Sequence, residues 1–324
     1  RLMQLITERN PEKIGLNFSK DHNIADGLDK TEYDEFMANL PKKYHSKVVS
    51  AEQLAVRWIE TRTPREMTIF NQLVDITHDI IAEAFSEKVI TPGVTTTTEV
   101  EWCMRQKVPD MGLETWFHPT VDVQRTSEEL VGHLYSFSGR PDDEVIQRGD
   151  LLHCDFGITY LRLNTDCQEL AYVLKPEETE APAFLVNALY DGNRVQDFLT
   201  QNMVKGLVGN DILAKALQDA KDAGLRPAIY THPLGSYGHS AGTTIGMWDA
   251  QGGVLKDDGE NYPLNPNTAY AIELNTTVNI PEWNRDIRIM LEEAGFFGED
   301  GFRYVNGRQT EFLLIPRPKS HLGN

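Results

Sequence analysis

Gly149-Asp150-Leu151-Leu152-His153-Cys154-Asp155-Phe156-Gly157-Ile158 reads as an apolar strand with a carboxylate set in its middle. A charge on such a strand is costly unless it faces solvent, pairs with a base or meets a cation. Eleven residues later Asp166 ends the stretch Leu161-Arg162-Leu163-Asn164-Thr165-Asp166. Fully extended chain would hold the two carboxylates roughly 36 Å apart, at about 3.3 Å per residue. A hairpin folding near Thr159 to Leu161 would bring them face to face, and like charges that close need something positive between them.

The same oddity recurs downstream. Glu273 is embedded in Ala269-Tyr270-Ala271-Ile272-Glu273-Leu274-Asn275-Thr276-Thr277-Val278, with no basic residue nearby in sequence. Glu292 closes Ile287-Arg288-Ile289-Met290-Leu291-Glu292 and shares a strand side with Arg288 by the period of two. Four acids in four strands make a hard oxygen-ligand set, suited to pairs of Mn²⁺, Co²⁺ or Zn²⁺ rather than to a thiolate-type site. Between the two pairs lies Thr231-His232-Pro233-Leu234-Gly235-Ser236-Tyr237-Gly238-His239-Ser240-Ala241-Gly242, a glycine-rich loop with two imidazoles seven residues apart.

Outward from these strands the chain shows helices and strands in a repeating order. Thr63-Pro64-Arg65-Glu66 combines a Thr cap, Pro at the first helical position and a Glu three after the cap, so a helix is expected to about Phe85. A second helix is predicted from the Thr95 to Thr98 run through Gln106, followed by strand segments over 114–124, 149–160 and 161–174. Helices then return from about Pro182 to Val204 and from an Asn210-Asp211 cap to Ala223, stopped by Gly224. Strands follow over 228–232, 268–279, 287–293 and 309–316. Two helices then strands, twice over, predicts a pseudo-duplicated α+β domain. Residues 1–62 read as the tail of a separate α/β unit, with a helix over 1–10, a short strand at 14–17, a turn at 25–27 and a helix from Thr31.

Composition narrows the function classes. The 324 residues carry 31 Lys+Arg against 49 Asp+Glu, a formal net charge of -18. Without a basic block, nucleic acid and anionic membrane surfaces are excluded as partners. No apolar run approaches the roughly 18 residues of a spanning helix. The cysteines, 103, 154 and 167, lack C-x-x-C spacing and indicate neither a disulfide framework nor a zinc ribbon. Asp155-Phe156-Gly157 spells the magnesium motif of protein kinases, but no H-R-D loop or glycine-rich phosphate loop precedes it. The chain starts with Arg1, so a processed or partial form of a longer protein is expected and compartment is not readable.

The order Asp155, Asp166, His232, Glu273, Glu292, with the His232 to His239 loop, resembles the pita-bread metallopeptidases, in particular their Xaa-Pro aminopeptidase and prolidase branch. The likeness runs over about residues 63–316. It implies a pita-bread catalytic domain over 63–324, preceded over 1–62 by the C-terminal part of a creatinase-type N-domain that looks truncated. It implies that Asp155 binds one metal, that Asp166 and Glu292 bridge, and that His232 and Glu273 bind the other. Glu273 would also carry a proton, His239 would steady substrate and intermediate, and Arg288 would contact substrate.

The family's Arg-Ile-Glu segment is stretched here to Arg288-Ile289-Met290-Leu291-Glu292-Glu293, which leaves Glu293 as a substitute for Glu292. A further substrate-side His of the family falls on Ser138 without gaps, with His133 or His118 reachable only through a loop of different length. The implied function is metal-dependent hydrolysis of the N-terminal peptide bond, with proline in second position. Two divalent ions, manganese first and cobalt or zinc otherwise, would activate a bridging hydroxide. A homo-oligomer is compatible with the resemblance. The rivals are a hydrolase of non-peptide C–N or P–O bonds on the same fold, and a non-catalytic module that binds peptide or protein.

Overall fold

The computed structural model describes residues 1–19, 22–126, 143–246 and 262–318. The N-terminal segment forms α1 (Leu2–Arg9), β1 (Ile14–Leu16), α2 (Lys30–Asn39), β2 (Val48–Ser50) and α3 (Glu52–Glu60), with β1 and β2 paired in parallel. Helix α2 starts on a reciprocal capping box between Asp29 and Glu32. The expected elements are present, and β2 and α3 are added to them. The apolar spacing of α3 is blurred by Leu54 and Trp58, which are 75% and 79% exposed.

Helix α3 joins this segment to the rest. Arg57 donates to the Pro266 carbonyl, Tyr262 Oη donates to Glu60, and Thr61 bridges Thr268. Burial pushes the Glu60 carboxyl up to about 7, despite the Arg57 guanidinium 3.1 Å away.

Helix α4 (Pro64–Ala84) begins at the Thr63 box as expected, and its buried stripe of Met67, Phe70, Leu73, Val74, Thr77, Ile80, Ile81 and Ala84 follows helical spacing. Helix α5 (Thr97–Asp110) carries its own box, Thr96 with Glu99. The expected 114–124 strand is two pieces, β3 (Glu114–Thr115) and β4 (Thr120–Gln124). Then come β5 (Leu151–Phe156), β6 (Ile158–Tyr160), β7 (Leu163–Asn164) and β8 (Cys167–Val173). The second half has α6 (Ala183–Asn202), α7 (Gly209–Asp222), β9 (Pro227–Ile229), β10 (His232–Leu234), β11 (Thr268–Ile280), β12 (Arg285–Gly298), β13 (Gly301–Tyr304) and β14 (Leu313–Ile315).

Two local expectations are corrected. Val208 caps α7 without a side-chain bond, and Asn210 and Asp211 lie inside its first turn. The expected 309–316 strand shrinks to β14, because Gln309 uses its backbone N–H on Glu293 and its side chain on both backbone groups of Leu170.

Among the described residues nine strands form the main sheet, in the order β10-β11-β12-β8-β5-β4 with β9, β13 and β14 branching from it. Helices α4 and α5 cover one core, around Phe70, Val100, Leu152, Cys154 and Phe156, and α6 and α7 cover the other, around Leu189, Ile212, Ile272, Ile289 and Leu291. The duplication extends to hydrogen bonds. Ile146 N–H donates to Thr95 O and Thr96 bridges Val145; in the second half Leu264 N–H donates to Leu207 O and Val208 bridges Pro263. In both halves the segment ahead of the helix is tied to the chain that leads into the carboxylate-bearing strand. β8 and β12 join the halves where Glu292 pairs with Gln168.

Candidate metal centre

Three strand pairings bring the acids together. β5 runs antiparallel to β8 with Asp155 opposite Gln168, β8 meets β12 with Gln168 opposite Glu292, and β12 meets β11 with Glu292 opposite Glu273. Paired residues point to the same side of a sheet. Asp166 arrives from the hairpin β6–β7, whose turn is Leu161-Arg162. Both turn residues have left-handed φ, 50° and 65°, the geometry of a two-residue primed turn. The hairpin expected near Thr159 to Leu161 is therefore present, and it returns the chain so that Thr165 N–H bonds Ile158 O.

Ligand atoms of Asp155, Asp166 and Glu292 lie within 4.8 Å of one another, and so do those of His232, Glu273 and Glu292. A further group joins Asp166, His232 and His239. His232 Nε2 is 3.8 Å from Asp166 Oδ2, 3.8 Å from Glu273 Oε2 and 3.7 Å from Glu292 Oε1. Five buried atoms here, Asp155 Oδ1, Asp166 Oδ1, His232 Nε2, Glu273 Oε2 and Glu292 Oε1, have no hydrogen-bond partner. Native interiors rarely leave one such atom orphaned. Five orphans converging, four of them acidic oxygens, fit a pair of divalent cations and little else.

The electrostatics agree. Burial raises the Asp155 carboxyl to about 6, and burial together with neighbouring carboxylates raises Asp166, Glu273 and Glu292 well above their ordinary range. Burial, with His239 beside it, lowers His232 to about 3, so its imidazole is neutral and able to ligate. Glu292 and Glu293 are separated by strand alternation. Glu292 joins the acids, whereas Glu293 takes the Gln309 N–H and points to His78.

Several residues of the site were not singled out in the sequence. Gln168 donates from Nε2 to Glu273 Oε1 at 2.5 Å and to Glu292 Oε2 at 3.0 Å. Its Oε1 must then accept from His153 Nε2 at 2.8 Å, and His153 Nδ1 meets Asp122 Oδ2 at 3.1 Å. This buried line from Asp122 through His153 and Gln168 fixes the two glutamates from behind. The clue in the sequence was His153 two residues before Asp155, on the same strand side. Tyr230 hydrogen-bonds Glu273 from another direction.

Trp116 is the other addition. Its ring meets His239 edge-on at 5.5 Å, His239 meets His232 edge-on at 4.5 Å, and its Nε1 donates to Thr165 O at 2.8 Å. Gly157 and Gly238 make room for it. A Cβ on Gly157 would lie 2.4 Å from the indole nitrogen and 2.2 Å from Thr165 O, and one on Gly238 would lie 2.3 Å from the indole ring. His239 is exposed at the mouth of the site.

Arg288 lies farther off. It is on the strand side of Glu292 but four residues along β12, about 13 Å away at 3.3 Å per residue, opposite Thr277 and exchanging backbone bonds with the Gln124 amide. His118 is held by α5, with Arg105 at 3.1 Å, Glu101 at 3.4 Å and the Trp102 ring beside it. Ser138 and His133 lie outside the described residues.

The sequence profile of metallopeptidase family M24 matches residues 69–298. No curated protein matches the chain by sequence. Among solved structures the chain is similar to an X-Pro aminopeptidase from Thermotoga maritima MSB8, at 15% identity and TM-score 0.66, covering 97% of this chain and 78% of that one. It is similar to a prolidase from Pyrococcus furiosus at 17% identity and TM-score 0.60, covering 95% and 80%. An Xaa-Pro dipeptidase from Bacillus anthracis follows at 16% identity and TM-score 0.58, covering 97% and 77%. At such identities the likeness is one of fold, the pita-bread architecture expected from the sequence.

Proposed function

Because the chain belongs to metallopeptidase family M24, we propose that it is a dinuclear metal-dependent exopeptidase that hydrolyses the N-terminal bond of peptides with proline in second position. The observation that carries the reading is the set of five converging buried atoms without partners, on Asp155, Asp166, His232, Glu273 and Glu292. The preference for proline rests on the fold's likeness to the X-Pro aminopeptidase, prolidase and Xaa-Pro dipeptidase. Residues 63–324 form the catalytic domain in this reading, with 1–62 a smaller unit docked through α3.

Asp155, Asp166 and Glu292 would hold one ion and His232, Glu273 and Glu292 the other, with Asp166 also within reach of His232. Such ions supply Lewis acidity and lower the pKa of a water toward neutrality. The oxygen-rich donor set with one imidazole suits manganese, cobalt or zinc.

The side chains do the rest. Glu273 carries the proton from the attacking water to the leaving amine, while Gln168 and Tyr230 restrain its carboxylate. His239, at the mouth and braced against Trp116, donates to the developing oxyanion. The Trp116 indole backs the exposed His239 edge-on at 5.5 Å and so fixes the direction of its ring. Arg288, farther along β12, serves the distal part of a peptide rather than its scissile bond.

The test is hydrolysis of an Xaa-Pro peptide panel, with and without chelator, alongside metal analysis of the purified protein. Cleavage that is lost with chelator and restored by Mn²⁺, Co²⁺ or Zn²⁺ is the expected outcome. Metal uptake with cleavage confined to phosphoester or amidine substrates would replace the peptidase reading, and absence of both uptake and cleavage would end the enzyme reading.

A further inference from the structure

A second group of metal-binding side chains lies across the sheet from the first, and the proposed hydrolysis does not use it. One ligand atom each from His78 on α4, Cys167 on β8 and Glu293 on β12 falls within 4.8 Å of the other two. His78 Nε2 is 3.2 Å from Glu293 Oε2 and 3.7 Å from Glu169 Oε1. Ligands held at about 2.0–2.3 Å around a tetrahedral ion stand roughly 3.3–3.8 Å apart, so these spacings leave room for one.

The cluster is more than a set of acids. It offers a nitrogen, a sulfur and one or two carboxylates, the mixture that selects borderline ions such as zinc. Glu293 is 1% exposed and the Gln309 N–H fixes its Oε1 at 2.7 Å, which aims Oε2 into the cluster. Both Glu293 Oε2 and His78 Nε2 are buried without a hydrogen-bond partner, although they face one another. Without a cation the two meet only as an ion pair 3.2 Å long, and a divalent ion would take a lone pair from each.

We propose that His78, Cys167 and Glu293 bind a third divalent cation of the zinc class, with Glu169 beside His78. The thiol of Cys167 is deprotonated on binding, one S–H bond giving way to one S–metal bond, with the proton passing to solvent. The ion has a structural consequence. It ties α4 and β8 of the first half to β12 of the second, beside the single register pair that joins β8 to β12. Two of its ligands, Cys167 and Glu293, directly follow Asp166 and Glu292 in the chain, so filling this site also fixes the backbone that presents two ligands of the proposed catalytic centre.

Cobalt titration of the metal-free full chain separates the two sites, because a sulfur-to-cobalt charge-transfer band in the near ultraviolet can come only from a thiolate and the catalytic set has none. The expected result is three bound equivalents, one of them with the band. Cys167→Ser should lose the band and one equivalent, and His78→Gln should weaken that equivalent more than about tenfold. Saturation of the unmodified protein at two equivalents without a band would overturn the proposal and leave His78 as a charge partner of the glutamates. A band that survives Cys167→Ser would overturn it as well. If Cys167→Ser does not fold, X-ray absorption on the zinc-loaded unmodified protein decides instead: sulfur in the coordination shell supports the third site, and a shell of oxygen and nitrogen alone overturns it.

Discussion

The two halves enter the site by the same route and arrive with different equipment. In each, a helix-capping segment is hydrogen-bonded to the residues just ahead of a strand, Thr95 with Ile146 and Leu207 with Leu264, and that strand carries a carboxylate, Asp155 or Glu273. The return paths diverge. In the second half β11 and β12 pair continuously from Thr268–Phe297 to Ile280–Arg285. In the first, β5 and β8 pair only from Leu151–Tyr172 to Phe156–Cys167, and the hairpin β6–β7 is inserted between them. The first half therefore positions Asp166 with a loop and a primed turn, whereas the second positions Glu292 by strand register alone. Duplication has preserved the way in and left the way back free to vary.

The largest effects should fall on the proposed ligands, and here the halves should be equivalent. Asp166→Asn and Glu273→Gln are each expected to lower kcat/KM by about a thousandfold or more, as loss of a major electrostatic contributor does, with the far-ultraviolet circular dichroism unchanged. If one retained full activity, its half would drop out of the site.

Metal removal comes next and affects both halves together. In the metal-free protein the folded pKa values of Asp155, Asp166, Glu273 and Glu292 are raised by burial, Asp155 to about 6. A raised folded pKa gives stability that is fully present below the unfolded value and is lost as pH rises through the folded one. The metal-free chain should therefore lose stability from about pH 4 upward through pH 6 and beyond, with Asp155 alone contributing on the order of 3 kcal/mol. Metal should restore most of it at neutral pH. Chemical denaturation at pH 5 and pH 8, with and without Mn²⁺, measures this, and a metal-free protein more stable at pH 8 would contradict it.

Glycine substitutions should distinguish the halves. The three atoms nearest a Cβ on Gly238 all belong to the Trp116 ring, from 2.3 Å, while Gly157→Ala meets the ring, the Phe117 ring and, at 2.2 Å, the Thr165 backbone carbonyl. Each should cost about 1–3 kcal/mol by overpacking. Combining Gly238→Ala with Trp116→Leu should recover most of that loss in a double-mutant cycle, and the same partner should not rescue Gly157→Ala. Equal rescue of both would mean that the first half is no more rigid than the second. The smallest effect concerns the inserted hairpin. Replacing Leu161-Arg162 by Asn-Gly should raise stability by about 1 kcal/mol, because neither native residue favours left-handed φ; a loss would show that the exposed Leu161 side chain has a packing partner in solution.

Much of this was legible in the sequence because it rests on local rules. The capping box at Thr63 and Glu66, the strand acids Asp155 and Glu273 and the need for a turn before Asp166 follow from spacing and the cost of burying charge. What escaped depended on long-range register. Gln168 carries no charge, so nothing in the sequence marked it, yet pairing with both Asp155 and Glu292 places it at the centre. Helix α3 was obscured by exposed apolar residues, and Val208 caps α7 because its backbone is held by Pro263 rather than by its own side chain. Arg288 shares the strand side of Glu292, but parity fixes only a side and not a distance.

The edge-to-edge row of Trp116, His239 and His232 has a spectroscopic consequence. An indole set edge-on, one ring away from an imidazole proposed to bind metal, is a fluorophore coupled to the candidate site. Its emission is expected to change on cation or peptide binding, and the signal can be assigned by replacing Trp116 against the background of the chain's other four tryptophans. Such a change would report occupancy of the candidate site without a coupled assay or an added dye, and an emission unaltered by Mn²⁺ would show that the row of rings is not coupled to it.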